Sequence, residues 1–310
     1  MESRGGGSSF RTSDGRLLEV VPGFASGIFE RDRAVVTSGT GYAGVSGQVA
    51  GEMEGVRRRV KLGLHVLATL AGDSPISDAR VFGASDGREC IWVAHDGGMR
   101  VVGTDIQTPV TPGDEVWNGL AACAPGAELS SIRQRIELRR DDMSRSALAS
   151  ASFDRVFSWQ TFEHVLDPAG ALREICRVLR PGGLAYLEYN PFFSIDGAHW
   201  AATIDIPWAH ARLDLADLRV AVRSLHPEPQ AWAADFVHNG INRLCLADLT
   251  KFAADAGLET VALLPRLRTE DLFALDRTIV NEIRERFPAA ELLDLGSRIV
   301  RVVLRRPERV

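Results

Sequence analysis

The stretch Val81–Ile106, VFGASDGRECIWVAHDGGMRVVGTDI, decides the fold. It lays out an apolar strand, a turn carrying Gly83 and Gly87, a helical run, and a second strand that ends on Asp105. A glycine turn between a strand and a helix lets main chain approach a ligand closely, because no Cβ fills that space, and the helix start offers unpaired N–H groups. Asp105 follows Gly87 by 18 positions, the offset at which a carboxylate can accept hydrogen bonds from both hydroxyls of an adenosine ribose. Ser85 stands where a dinucleotide turn would carry its middle glycine, and Asp86 and Glu89 put carboxylates where a pyrophosphate would sit. The turn suits an adenosine ligand without phosphates.

Outward from this stretch the chain alternates. Strands are predicted over 79–84, 99–104, 134–139, 154–159, 183–189, 258–264 and 298–305, and helices over 87–96, 168–179, 247–256 and 269–286. Apolar strands joined by helices predict an α/β fold: a doubly wound, seven-stranded, mostly parallel sheet with helices on both faces, whose ligands bind at the carboxyl ends of the strands. Upstream, Val56, Val60, Leu64, Leu67 and Leu70 recur at helical spacing and predict a helix over 52–70. The expected organisation is a flexible Gly- and Ser-rich terminus over 1–15, a partly helical extension over 16–75, and one large domain over 76–310. That domain carries insertions at 106–133 and 190–246, and the second, rich in Trp and His, is expected to form a lid over an acceptor.

Composition bounds the partners. The 310 residues are 45% hydrophobic and 25% charged with a net charge of −5, enough to bury a large core and poor in the massed basic residues that bind nucleic acid. No run approaches the roughly 20 apolar residues that span a bilayer, and the first residues lack the apolar core of a signal peptide, so a cytoplasmic protein with no membrane partner is expected. Cys90, Cys123, Cys176 and Cys245 are widely spaced and form no CxxC pair, which predicts buried thiols and no metal site.

A longer block is more specific. SFDRVFSWQTFEHVLDPAGALREICRVLRPGGLAYLEYNPF, Ser152–Phe192, resembles the fourth-to-fifth-strand block of class I S-adenosylmethionine-dependent methyltransferases of the small-molecule type, with Pro181-Gly182-Gly183 expected to end a helix and turn into a strand. The resemblance covers 79–190 and 246–306 and implies a Rossmann-like methyltransferase fold with an antiparallel last strand, and S-adenosylmethionine as cofactor. It implies that Gly83, Ser85 and Gly87 surround the methionine part, Asp105 binds the ribose and Ile106 lies against adenine. Asp142, followed by Met143, would contact the adenine amino group, with Asp141 as the alternative register; Ser158 and Trp159 would end the fourth strand beside the methyl. Two positions depart from the family: Val81 replaces an acid that helps hold the methionyl ammonium, and Ser85 replaces a glycine.

Methyl transfer needs alignment above all, and a base only for a weakly acidic nucleophile. His164, His199 and His210 are the candidate bases, with His238 beside them and ordinary packing as the alternative for each. Trp200, Trp208 and Trp232 fit either core packing or a planar or sugar acceptor. The leading expectation is a metal-independent methyltransferase for a small molecule, such as a sugar, surface-polymer or secondary-metabolite precursor. A non-catalytic cofactor-binding scaffold on the same fold comes second, and a nicotinamide-dependent oxidoreductase third.

Overall fold

The computed structural model describes residues 8–29, 45–71, 76–107 and 112–308. Their strands are β1 (Ser9–Arg11), β2 (Leu17–Glu19), β3 (Asp78–Phe82), β4 (Arg100–Asp105), β5 (Ile136–Arg140), β6 (Phe153–Trp159), β7 (Leu179–Tyr189), β8 (Glu259–Leu267) and β9 (Ser297–Arg305). β1 and β2 form an antiparallel hairpin, and the other seven form one sheet in the order β5-β4-β3-β6-β7-β9-β8. The pairs β4–β5, β3–β4, β3–β6 and β6–β7 are parallel, so the chain winds from β3 out to β5 and then resumes on the opposite side of β3. That reversal is the switch point at which ligands bind such sheets. The expected mostly parallel seven-stranded α/β sheet is observed. β6 and β7 are buried along almost their whole length, as strands covered on both faces must be, whereas β5 alternates as an edge strand.

Two compact units divide the chain: Gly39–Tyr189 with Leu249–Leu264 and Arg301–Val310, and Met1–Ser38 with Asn190–Asp248 and Pro265–Val300. In the first, the helix Val45–Leu70 buries Met53, Val56, Val60 and Leu67 in a core shared with Trp92, Trp159 and Tyr186. Gly63 permits that approach, since a Cβ there would meet Trp159 at 3.0 Å and Tyr186 at 3.2 Å. Helix Pro168–Val178 starts on Pro168 and is capped by Asp167, which accepts from the Gly170 N–H at 2.8 Å.

The second unit has its own core of Phe192, Phe193, Trp208, Leu218, Val237 and Ile283 packed with Leu18 and Ile28. Polar bonds pin its segments together. Asp217 accepts from the Ser13 N–H and hydroxyl, Asp205 accepts from the Gly23 and Ala25 N–H groups, and Arg212 pairs with Glu282 at 2.6 Å. Arg298 bridges Asp271 at 2.6 Å and Asp196 at 3.3 Å.

Several expectations are corrected. Residues 8–15, expected to be flexible, form half of the β1–β2 hairpin and bond to Asp217; residues 1–7 lie outside the described residues. The 190–246 segment, expected as a lid inserted in a domain over 76–310, folds with 8–29 and 265–300, because its apolar side chains find their partners there. The helix expected over 269–286 is two, Thr269–Phe273 and Arg277–Arg286, because Asp276 turns outward and caps the second by accepting from Ile279 N–H at 2.8 Å. Pro181-Gly182-Gly183 lies past the helix end, inside β7. The pairing there jumps from Phe153↔Leu179 to Arg155↔Leu184 and Gly182 takes φ +76°. The 106–133 insertion contains helices Asp114–Cys123 and Leu129–Gln134, the latter ending one residue beyond it, with 108–111 outside the described residues. Among the described residues no helix is long and apolar enough to cross a membrane.

Candidate active site

At the carboxyl ends of the parallel strands of the first unit lies a cavity of about 360 Å³. Its wall is built from Phe82–Gly83 at the end of β3, Thr104–Ile106 at the end of β4, Asp141–Arg145 after β5, and Thr161 with His164–Asp167 after β6. Gly83 is dictated by sterics: its φ is +68°, and a Cβ there would fall 2.0 Å from the Thr161 hydroxyl oxygen. Ser85 adopts φ +43°, a left-handed conformation that strains a residue with a Cβ, and its N–H donates to Asp105 Oδ2 at 3.0 Å. Gln107 N–H donates to Asp105 Oδ1 at 2.9 Å, so two main-chain donors fix the carboxylate at the cavity rim and leave it lone pairs for a ligand. Ile106 is beside it, 64% exposed, an apolar surface at the cavity edge.

The adjacent acids after β5 divide their work. Asp141 accepts from Arg80 at 2.8 Å, from the Ser146 hydroxyl at 2.5 Å and from Ala147 N–H at 2.9 Å. Asp142 accepts from Ser144 N–H at 2.7 Å and lines the cavity with Met143. Arg80, on β3 and wholly buried, also donates to the Ser146 hydroxyl at 2.8 Å and Thr104 at 3.3 Å, and its guanidinium lies 3.5 Å from the centroid of the Phe82 ring. Burial pulls its pKa down to about 9 against the pull of Asp141. Nothing in the sequence reading singled out Arg80; its one signal is a charge inside the apolar strand DARVF.

Gly83, Asp105, Ile106, Asp142, Met143 and His164 are thus brought together around one cavity, and Thr161, Arg145 and Asp167 join them unforeseen. Ser85 and Gly87 hold the turn instead of lining it. Gly87 takes φ +79°, caps helix Arg88–Asp96, and would press a Cβ to 3.0 Å from Pro112. Ser158 and Trp159, expected beside the methyl, are outside the lining. Trp159 stacks 5.1 Å from Phe157 on the opposite, core face, and Ser158 is fully buried. Val81, the departure from the family pattern, is a core residue.

The other two histidines belong to the second unit. His199, at φ +52°, opens the short helix His199–Ala202 with its ring 6.2 Å from Phe236. His210 is buried, its Nε2–H donating to the Phe192 carbonyl at 2.8 Å, and burial holds its pKa down to about 4. Its ring is therefore a much weaker base than the ordinary histidine the sequence suggested. Trp208 is core, with its indole N–H donating to the Phe193 carbonyl at 2.9 Å, while Trp200 and Trp232 are exposed.

The strand-end cavity, the glycine turn and the acid closing β4 all fall within or beside residues 81–187, which match the family model of a methyltransferase domain. That match covers about a third of the chain. A curated relative, Methyltransferase GfsG of Streptomyces halstedii, is 27% identical over 101 residues, which make up 33% of this chain and 33% of that protein. The match therefore spans about a third of the relative's length. Among solved structures, a putative sarcosine dimethylglycine methyltransferase from Galdieria sulphuraria is similar at 14% identity, with 91% of this chain and 99% of that one covered and a TM-score of 0.47. An S-adenosylmethionine-dependent methyltransferase from Mesorhizobium loti is similar at 16% identity, with coverage of 78% and 96% and a TM-score of 0.43.

The cavity suits S-adenosylmethionine, the cofactor that the sequence resemblance implies. Asp105, Asp142 and Asp167 set three carboxylates in the lining against the Arg145 guanidinium, Asp141 being paired with Arg80. That balance favours a ligand carrying a sulfonium and an ammonium over one carrying phosphates.

Proposed function

We propose that the chain is a cytoplasmic methyltransferase that moves the methyl group of S-adenosylmethionine to a small-molecule acceptor, without a metal. The carrying observation is the single cavity that gathers Gly83, Asp105, Ile106, Asp142 and Met143 at the switch point of the sheet. In this proposal the Asp105 carboxylate, aimed by two N–H donors, accepts from the ribose hydroxyls. Ile106 and Met143 sandwich the adenine, Asp142 accepts from its amino group, and the bare main chain at Gly83 lies against the methionine part. When bound, the sulfonium supplies an already activated methyl, so the protein's work is to orient the acceptor and exclude water. His164 lines the cavity and is the base that a hydroxyl acceptor would use.

Calorimetric titration of the full chain with S-adenosylmethionine, its demethylated product and NAD tests the assignment. The first two should bind and NAD should not. Asp105→Ala should weaken both at least about tenfold, the loss of roughly one charged hydrogen bond. Unchanged affinity in that variant would overturn the placement of the ribose. The strained Ser85 and the apolar Val81 favour one second reading, a non-catalytic cofactor-binding scaffold. Cofactor binding with no methyl transfer to any member of a broad metabolite panel would select it.

A further inference from the structure

The second unit holds a cavity of its own, about 240 Å³, that the methyltransferase assignment does not use. Its lining combines apolar Leu213, Leu218, Val237 and Phe287 with the arginines Arg243 and Arg286. Arg243 is half-buried, donates to the carbonyls of Ile241 at 3.3 Å and His238 at 2.6 Å, and lies 5.1 Å from the centroid of the Phe192 ring. Those carbonyl bonds orient its plane but leave its charge unbalanced. Arg286 shares the wall, and its charge acts unfavourably on Arg243. Neither arginine has an ion-pair partner among the described residues; the charge of Asp214 favours Arg286 and that of Arg16 opposes it. His210, also in the wall, is neutral, being buried and committed to the Phe192 carbonyl, so it adds no compensating or competing charge near neutral pH.

Two guanidinium groups converging on one partly apolar cavity without a carboxylate between them repel each other, and an anion placed there reverses the sign of that interaction. We propose that this cavity binds a small amphipathic anion, its carboxylate or phosphate held by Arg243 and Arg286 and its apolar part lying against Leu213, Leu218 and Val237. The forked donors of arginine suit both headgroups, and the adjoining apolar wall requires a ligand with a hydrocarbon or ring portion. The site lies wholly within the second unit and stands whether or not the first unit transfers methyl groups.

The test uses the full chain and three probes of equal tail length: nonanoate, octyl phosphate and octanol. Binding of either anion at least tenfold tighter than octanol, weakened roughly ten- to a hundredfold by Arg243→Gln or Arg286→Gln, supports the site; the preferred headgroup then tells carboxylate from phosphate. The anion affinity should also fall as sodium chloride is raised, while octanol binding should not. Equal affinity for octanol and the anions, no anion binding, or anion affinity unchanged in both variants would each overturn the proposal. Arg286 is exposed, so Arg286→Gln carries the test should Arg243→Gln fail to fold, and a thermal melt of each variant checks that. S-adenosylmethionine titrated into the same samples should bind as in the wild type, which keeps this result separate from that of the methyltransferase cavity.

Discussion

Ser85 is the residue at which the sequence departs most visibly from its family, and its backbone explains the consequence. At φ +43° it occupies a region that costs a residue with a Cβ about 1 kcal/mol or more, yet its N–H is one of the two donors that aim Asp105. Ser85→Gly should therefore raise stability by about 1 kcal/mol less the added freedom of the unfolded chain, and leave cofactor affinity equal or improved. Urea melts and calorimetry on the two proteins decide it; a variant that no longer binds would make the serine hydroxyl a ligand in its own right. At this scale Gly83, Asp105 and Ile106 were legible, because a turn and a strand end are local facts. Thr161 was not, since its approach to Gly83 exists only once β3 and β6 lie side by side.

At the scale of elements, the strands could be read almost to their ends because apolar runs and glycine turns are written locally, whereas partnerships across strands are not. Arg80 shows the difference. From β3 it reaches under the cavity to Asp141 and Ser146, tying down the loop that carries Asp142 and Met143. Removing it leaves Asp141 without its ion-pair partner, so Arg80→Ala should lower stability by about 3–5 kcal/mol. Cofactor affinity should fall in the same variant, although Arg80 itself is buried beneath the lining. Denaturant melts and calorimetry read both effects, and stability within about 1 kcal/mol of wild type would show that the pair does not hold the loop. Trp159 was misplaced for a related reason. Side chains alternate along β6, and which face received Phe157 and Trp159 depended on the helix Val45–Leu70 that covers them.

At the scale of the whole molecule, the two-unit division was the least legible feature, because the contacts that make the second unit join residues about 180 to 200 positions apart, such as Gly23 with Asp205 and Ser13 with Asp217. One of its buried histidines, His210, gives that unit a pH signature. His210 has its folded pKa held near 4 by burial, below the ordinary 6.5, so between those values the unfolded chain takes up a proton that the folded chain refuses. The stability present above pH 6.5 should be lost as the pH falls to 4, by an amount on the order of 3 kcal/mol from this group. His210→Gln, which keeps a donor for the Phe192 carbonyl, should flatten that part of the stability–pH curve. An identical slope in wild type and variant would show that other groups set the acid limit.

The same division bears on how the protein is made. The hairpin β1–β2 leaves the ribosome well before Asp217, which holds the turn between its strands, and Asp205, which holds the segment after it; both follow some 180 to 200 residues later. At ~5–20 residues per second that interval is on the order of 10–40 seconds. Throughout it Leu18, Val20 and Ile28 have no core to enter, although the methyltransferase strands β3 to β7 are already emerging behind them. The segment from β1 to Ile28 is thus open to a holding chaperone for the whole of that interval.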